Sequence, residues 1–183
     1  MTAPDSTGDR IVAAAVAEFS RHGIAGARIE RIAKAARTSK ERVYAYYRSK
    51  EALYRHVVLR ELAAVAEATR MDPADLPGYA GRVHDYFQSH PERFRLMRWG
   101  QLEFAESSDD PIQNSVRGKV GQLRAAQKAG LLDTAWDPID ILMFVNQIAM
   151  TWAGQPDAEP SFLAARREAV VEAVQRLFPK VAP

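Results

Sequence analysis

"RTSKERVYAYYRSKEAL", residues 37–53, carries three tyrosines, at 44, 46 and 47, among five basic side chains, Arg37, Lys40, Arg42, Arg48 and Lys50. Such a stretch suits either core packing beside solvated charge or a surface that lies against phosphate. Its spacing separates the two. Ser39 can cap a short helix running to about Tyr46. On it, Val43 and Tyr47 share a face that packs inward on Ile32 and Phe19, while Glu41, Arg42 and Ala45 project outward. Lys40 sits in the first turn. An inward apolar face with a basic outward face is what a helix entering a DNA major groove needs.

The flanking sequence completes the unit. Ser6 and Thr7 open a first helix with Asp9 in its first turn and an Ile11, Ala15, Phe19 stripe, stopping near Gly23. A second helix covers about 28–35, with Ile29, Ile32 and Ala33 on one face. Only "ART" joins it to the next helix, which forces the sharp angle of a helix-turn-helix. Ser49 caps a long fourth helix whose stripe is Leu53, Val57, Val58 and Leu62. Tyrosine suits the rim of a groove-reading helix because its ring packs on protein while its hydroxyl reaches a phosphate oxygen. Tyr47 is therefore expected in the core, Tyr44 on phosphate, and Tyr46 in either role. Lys50, beside free N–H groups, can neutralise another phosphate.

The stretch "IVAAAVAEFSRHG…IERIAKAARTSKERVYAYYRSKEALY" resembles the N-terminal DNA-binding region of the TetR/AcrR family of bacterial transcriptional regulators. The matching features are the "F…G" end of the first helix, "IAKAA", the Ser39-Lys40 start, "VYAYY" and "SKEAL". The chain departs at three places. Arg37-Thr38 stands where the family usually has Gly-Val, Arg28 where a capping Thr is common, and Glu41 where a small residue is common. Glu41 can accept from a cytosine amino group or repel phosphate. The placement of the residues, taken with the resemblance, gives an expected DNA-binding surface of Arg37, Thr38, Ser39, Lys40, Arg42, Tyr44, Tyr46 and Lys50, with Arg37 a cation added at the turn by this chain's departure from the family. The resemblance also implies a helical C-terminal part that binds a small effector and forms a dimer.

Composition agrees. Of 183 residues 47% are apolar, enough for a core, and there are no cysteines, which removes thiolate and disulfide chemistry and fits a reducing cytosol. The net charge of +2 hides an asymmetry: residues 1–55 hold eleven Lys/Arg against six Asp/Glu, the remainder fourteen against seventeen. A polyanion partner is thus expected for the N-terminal third. No signal peptide is visible at the N-terminus. The longest apolar run, 139–154, is too short for a membrane span. No HExxH, GxSxG, P-loop or GxGxxG pattern occurs, so no metal, cofactor or enzymatic activity is expected.

An all-α chain of about nine helices follows, with a helix-turn-helix domain at 1–55 and a ligand-binding and dimerisation domain at 56–183. "MDPADLPGY" (71–79) breaks the pattern. Helices are expected near 78–89, from Pro91 to about 105, from 111 to about 129 before Gly130, from Asp137-Pro138 to about Gly154, and from Pro160 or Ser161 to before Pro179. The eighth is apolar almost all round and is expected to be buried on all sides, Asn146 and Gln147 included. The ninth carries a Leu163, Val170, Val174, Leu177 stripe. Together, 139–178 suggest a four-helix interface with a second copy. The aromatic segment 86–104 reads as core filling or as the wall of an apolar pocket. The pocket residues would be Phe87, Met97, Arg98, Gln101, Phe104, Asn146, Gln147 and Met150, around an uncharged or weakly polar effector, coupled to the DNA-binding helices through the fourth helix. The expectation is a cytoplasmic, ligand-responsive homodimeric repressor on an inverted-repeat operator in double-stranded DNA. The alternative is an all-helical small-molecule or protein-binding module without DNA readout.

Overall fold

The computed structural model describes residues 6–103, 111–154 and 159–179. Among them are nine α-helices and no strand: α1 Thr7–Gly26, α2 Ile29–Ala35, α3 Lys40–Tyr46, α4 Lys50–Ala68, α5 Leu76–Ser89, α6 Pro91–Glu103, α7 Pro111–Lys128, α8 Pro138–Met150 and α9 Pro160–Leu177. A single 3-10 turn, Pro73–Asp75, precedes α5. Asp72 and Asp75 cap the turn and the helix in succession through the N–H groups of Ala74 and Gly78, so α5 starts two residues before the expected position.

The helices form two compact units, Met1–Leu62 with Glu92–Ser107, and Ala63–Pro91 with Ser108–Pro183. The division therefore falls inside α4, and α6 belongs with the N-terminal helices. In the first unit Ile11, Ala15, Phe19, Ile32, Val43, Leu53 and Val57 are fully buried. Phe19 meets Tyr54 edge-on at 5.0 Å, a geometry in which the positive ring edge faces the negative ring face. The Tyr54 hydroxyl donates to the Leu96 carbonyl at 2.8 Å, and Arg93 Nε lies 2.8 Å from Glu61 Oε2, so α6 is fastened to α4.

Gly23 breaks the regular run of α1 where a stop was expected. It interrupts the helix at φ 64°, ψ −177°, and one more turn follows to Gly26. A Cβ at Gly23 would lie 3.1 Å from indole carbons of Trp99. Glycine is thus required twice, for its positive φ and for the close approach of α6.

In the second unit α5 packs on α8 and α9, and α7 packs on α8. Two expectations are corrected here. Ile141, Leu142, Val145 and Ala149 make one buried face of α8, whereas Ile139, Met143, Phe144 and Gln147 are exposed. An apolar circumference does not bury a helix when its own chain supplies neighbours on one side only. Second, Val174 of α9 is 0% exposed, with Val170 and Phe178 also buried. That stripe is spent within the chain and is not free for a partner copy. Leu163 lies among side chains outside the described set. α8 ends at Met150 rather than near Gly154; turns fill 151–154.

Candidate nucleic-acid interface

Helix α3 is held by three devices. Ser39 Oγ accepts from the Arg42 N–H at 3.2 Å, satisfying one free donor of the first turn. Val43, fully buried, anchors the inner face. The turn from α2 closes with Thr38 N–H on the Ala33 carbonyl at 2.9 Å and Arg37 N–H on that of Lys34 at 3.2 Å. This six-to-one bond is the Schellman arrangement, and it needs a left-handed residue just past the helix. That residue is Arg37, at φ 54°. The backbone is therefore the one glycine would adopt freely, made here with a cation. Arg10 Nε of α1 donates to the Ala36 carbonyl at 3.1 Å and pins the turn from behind.

Arg28 makes no side-chain cap for α2. Glu18 of α1 does so from a distance: its Oε1 accepts from the Arg28 N–H at 3.0 Å and from Arg31 Nε at 2.6 Å. A remote carboxylate in place of a local hydroxyl leaves no signal at the capping position itself, so sequence reasoning missed it.

Arg37, Ser39, Lys40, Glu41, Arg42, Tyr44, Ala45 and Tyr46 are all exposed, and Thr38 and Lys50 are half-buried. Tyr44 at 41% and Tyr46 at 48% present their rings to solvent, while Tyr47 is only half-buried. The ring of Tyr47 stacks obliquely on His56 at 5.1 Å and reaches Tyr46 at 6.3 Å. Its expected place in the core is corrected accordingly. It is the C-cap residue, in extended conformation, so its side chain leaves the inner face of α3 that Val43 occupies. Burial raises the Tyr47 phenol above its ordinary value, against the opposing charge of Arg60. Tyr46 rests against Gly8 of α1, with the Arg42 guanidinium 6.0 Å from its ring centre.

Two cations are already engaged. Lys40 Nζ pairs with Glu30 of α2, which raises the lysine above its ordinary value and lowers the carboxyl. Lys50 Nζ donates to the Ala27 carbonyl at 3.3 Å at the edge of an open cleft of about 520 Å³ lined by Arg28, Tyr44, Arg48 and Ser49. Ser49 Oγ accepts from the Ala52 N–H at 3.0 Å and caps α4 there. The start of α2, Tyr44 of α3 and the start of α4 thus meet around one open cleft that carries Arg28, Arg48 and Lys50.

The tetR-family profile of bacterial regulatory proteins matches residues 11–57, and the profile described as Tetracyclin repressor-like, C-terminal domain, matches residues 75–176. The chain is 39% identical over 153 residues to the HTH-type transcriptional repressor SCO4008 of Streptomyces coelicolor, covering 82% of this chain and 79% of that protein. The chain belongs to the TetR family. This TetR-family chain also superposes on the crystal structure of the Streptomyces coelicolor transcriptional regulator SCO4942 with a TM-score of 0.86 at 59% identity, over 96% of this chain and 99% of that one. The HTH-type transcriptional repressor NicS of Pseudomonas putida is 38% identical over 136 residues, which is 69% of this chain and 64% of NicS.

The residues expected to line an effector pocket divide between the two units. Met97 and Arg98 lie in the first; Phe87, Asn146, Gln147 and Met150 lie in the second. Phe87 is buried and meets Tyr86 edge-on at 5.5 Å; Asn146 and Met150 are half-buried and Gln147 is exposed. The Gln101 side chain and Phe104 lie outside the described residues. Asn146 has a partner the sequence did not suggest: Tyr79 of α5 donates to its Oδ1 at 3.0 Å, and Lys119 of α7 in turn donates to the Tyr79 hydroxyl at 2.8 Å. Among the described residues no helix is long and apolar enough to cross a membrane, and no three His, Asp or Glu side chains are grouped to hold a metal ion.

Proposed function

We propose that this TetR-family chain is a ligand-responsive repressor that binds double-stranded operator DNA as a homodimer in the bacterial cytoplasm, with no catalytic activity of its own. The observation that carries this is the outward surface of α3, where Arg42, Tyr44 and Tyr46 stand exposed on a helix held by Ser39 and Val43. Arg42 reads a base edge, and Arg37, Thr38, Ser39, Lys40, Tyr44, Tyr46 and Lys50 contact backbone phosphates. The relatives named as transcriptional repressors support the direction of regulation.

Two α3 helices reach successive major grooves when they sit about 34–36 Å apart or a multiple of it, so the operator is an inverted repeat. The dimer forms through the segment 139–178. Ile139, Met143, Phe144 and Phe162 supply exposed apolar side chains for it. An effector bound among Phe87, Asn146, Met150 and their neighbours favours a state in which the spacing of the two α3 helices is wrong for DNA. It does so only to the extent that it binds that state more tightly. Selection of bound sequences from random double-stranded DNA should return an inverted repeat with half-sites about one helical turn apart, or a multiple of it. Failure to enrich any sequence would favour a binding module without DNA readout.

A further inference from the structure

A polar cluster inside the second unit is left over by the DNA-binding reading. Three helices each send one group to a single point: Tyr79 from α5, Lys119 from α7 and Asn146 from α8. Tyr79 is 1% exposed, and the Lys119 ammonium also lies over its ring, 5.1 Å from the centroid. Among the described residues no carboxylate stands within ion-pair distance of Lys119, which is itself half-buried. Partly desolvated cations with only neutral partners are uncommon, because the lost hydration is repaid by opposite charge or by full hydrogen bonding.

The hydrogen-bond inventory fixes what is missing. An ammonium only donates, so the Tyr79 oxygen accepts from Lys119. The buried phenol proton must then go to Asn146, which presents Oδ1 and turns its amide nitrogen away. Were the amide reversed, the Tyr79 proton would be orphaned in a site with almost no water contact. What remains open is mainly donors, two N–H bonds on Lys119 and two on Asn146, with one positive charge, beside one spare lone pair on Asn146 Oδ1. The complement is a singly charged group that only accepts, of which a carboxylate is the common biological case. The positions one turn away are apolar on one side, while on the other stand Ser115, before Lys119, and Asp75, before Tyr79, whose carboxylate already caps α5 at the Gly78 N–H and pairs with Arg82. Leu123 lies one turn beyond Lys119, Leu142 and Met150 one turn either side of Asn146, and Val83 one turn beyond Tyr79; Leu123, Leu142 and Val83 are buried and Met150 is half-buried.

We propose that the effector is an amphipathic monoanion, a carboxylate on an apolar body, received by Lys119 and Asn146 while Tyr79 holds both donors in place. This rests on the ligand-responsive reading above and replaces the uncharged effector expected from the sequence, where Arg98 was the sole cation considered.

The test uses the full chain and two matched probe sets: decanoate, decan-1-ol and decylammonium, and 1-naphthaleneacetate with 1-naphthaleneethanol, all below their aggregation concentrations. Calorimetric titration should give a dissociation constant at least tenfold lower for the carboxylate than for the alcohol in one set, with the ammonium weakest. Lys119→Met should erase that preference, and Lys119→Arg, which keeps the charge, should retain it. Equal affinity for carboxylate and alcohol, an undiminished preference in folded Lys119→Met, or no saturable binding of any probe would overturn the inference. Sequence-specific DNA binding, measured on the same preparations, separates the two claims. Its persistence alongside a failed carboxylate preference removes only this inference, and its absence removes the regulator reading whatever the probes do.

Discussion

Arg37→Gly should raise stability and weaken DNA binding, two effects of opposite sign from one residue. At φ 54° the Arg37 backbone is left-handed. For a residue with a Cβ that conformation costs about 1–2 kcal/mol. Glycine removes the strain and returns about 0.5–1 kcal/mol through its freer unfolded chain. The net gain is about 0.5–1 kcal/mol, or about 1–4 °C in melting temperature for a chain of this length. The turn's hydrogen bonds, Thr38 to Ala33 and Arg37 to Lys34, use backbone groups that the substitution keeps. Losing the guanidinium should meanwhile lower the slope of log affinity against log salt by about 0.9 per half-site. Arg37→Ala separates the causes, because it keeps the strain and loses the charge: it should match the DNA defect without the stability gain. Thermal unfolding and fluorescence polarisation read the two quantities. A less stable Arg37→Gly would refute the strain argument, and an unchanged salt slope in both variants would remove Arg37 from the interface.

Gly23→Ala meets both a positive φ and the Trp99 indole, so it should lose at least about 1–2 kcal/mol in chemical denaturation; a neutral result would mean α6 does not press on α1. Met143→Glu replaces a side chain 45% exposed in the chain, so it should leave the fold intact and convert dimer to monomer in sedimentation velocity; an unaltered dimer would move the interface off this face of α8. Val174 cannot serve for that test, since a charge there would disrupt its own chain's core. His84, 2% exposed with Nδ1 unpartnered, has its pKa lowered chiefly by burial, with Asp85 opposing and Arg167 assisting that shift. The unfolded chain then binds the proton more readily, so stability should fall as pH drops below about 6.5. Folded His84→Leu should flatten that part of the profile, and an identical slope in the variant would assign it elsewhere.

The DNA-binding half was legible because its signals are local. Ser39 and Ser49 cap the helices that follow them, Val43 repeats in phase with the core, and the short "ART" link admits few geometries. Where the reading erred, the cause was tertiary. Tyr47 shares a helical face with Val43 on paper, but the chain turns extended at that residue and takes its ring outward to His56. Arg37 hid a left-handed turn because any side chain can be forced into one when a six-to-one bond requires it. α8 looked buried all round because periodicity counts apolar residues and not the neighbours available to cover them. Lys119 left no trace, since a lysine in a helix as polar as α7 reads as solvated; only the meeting of α5, α7 and α8 gives it a buried tyrosine as partner.

Fluorescence polarisation of the enriched operator, titrated with the wild-type chain and with Arg42→Ala and Lys50→Ala at several salt concentrations, tests the central claim most directly. The account predicts saturation at two chains per inverted repeat and affinity that falls linearly in log salt. Lys50→Ala should weaken all DNA alike and reduce the slope by about one per half-site. Arg42→Ala should cost on the order of 1–3 kcal/mol on the operator and relax preference at a base position. Folded variants that bind like wild type, or equal affinity for operator and random DNA, would contradict it.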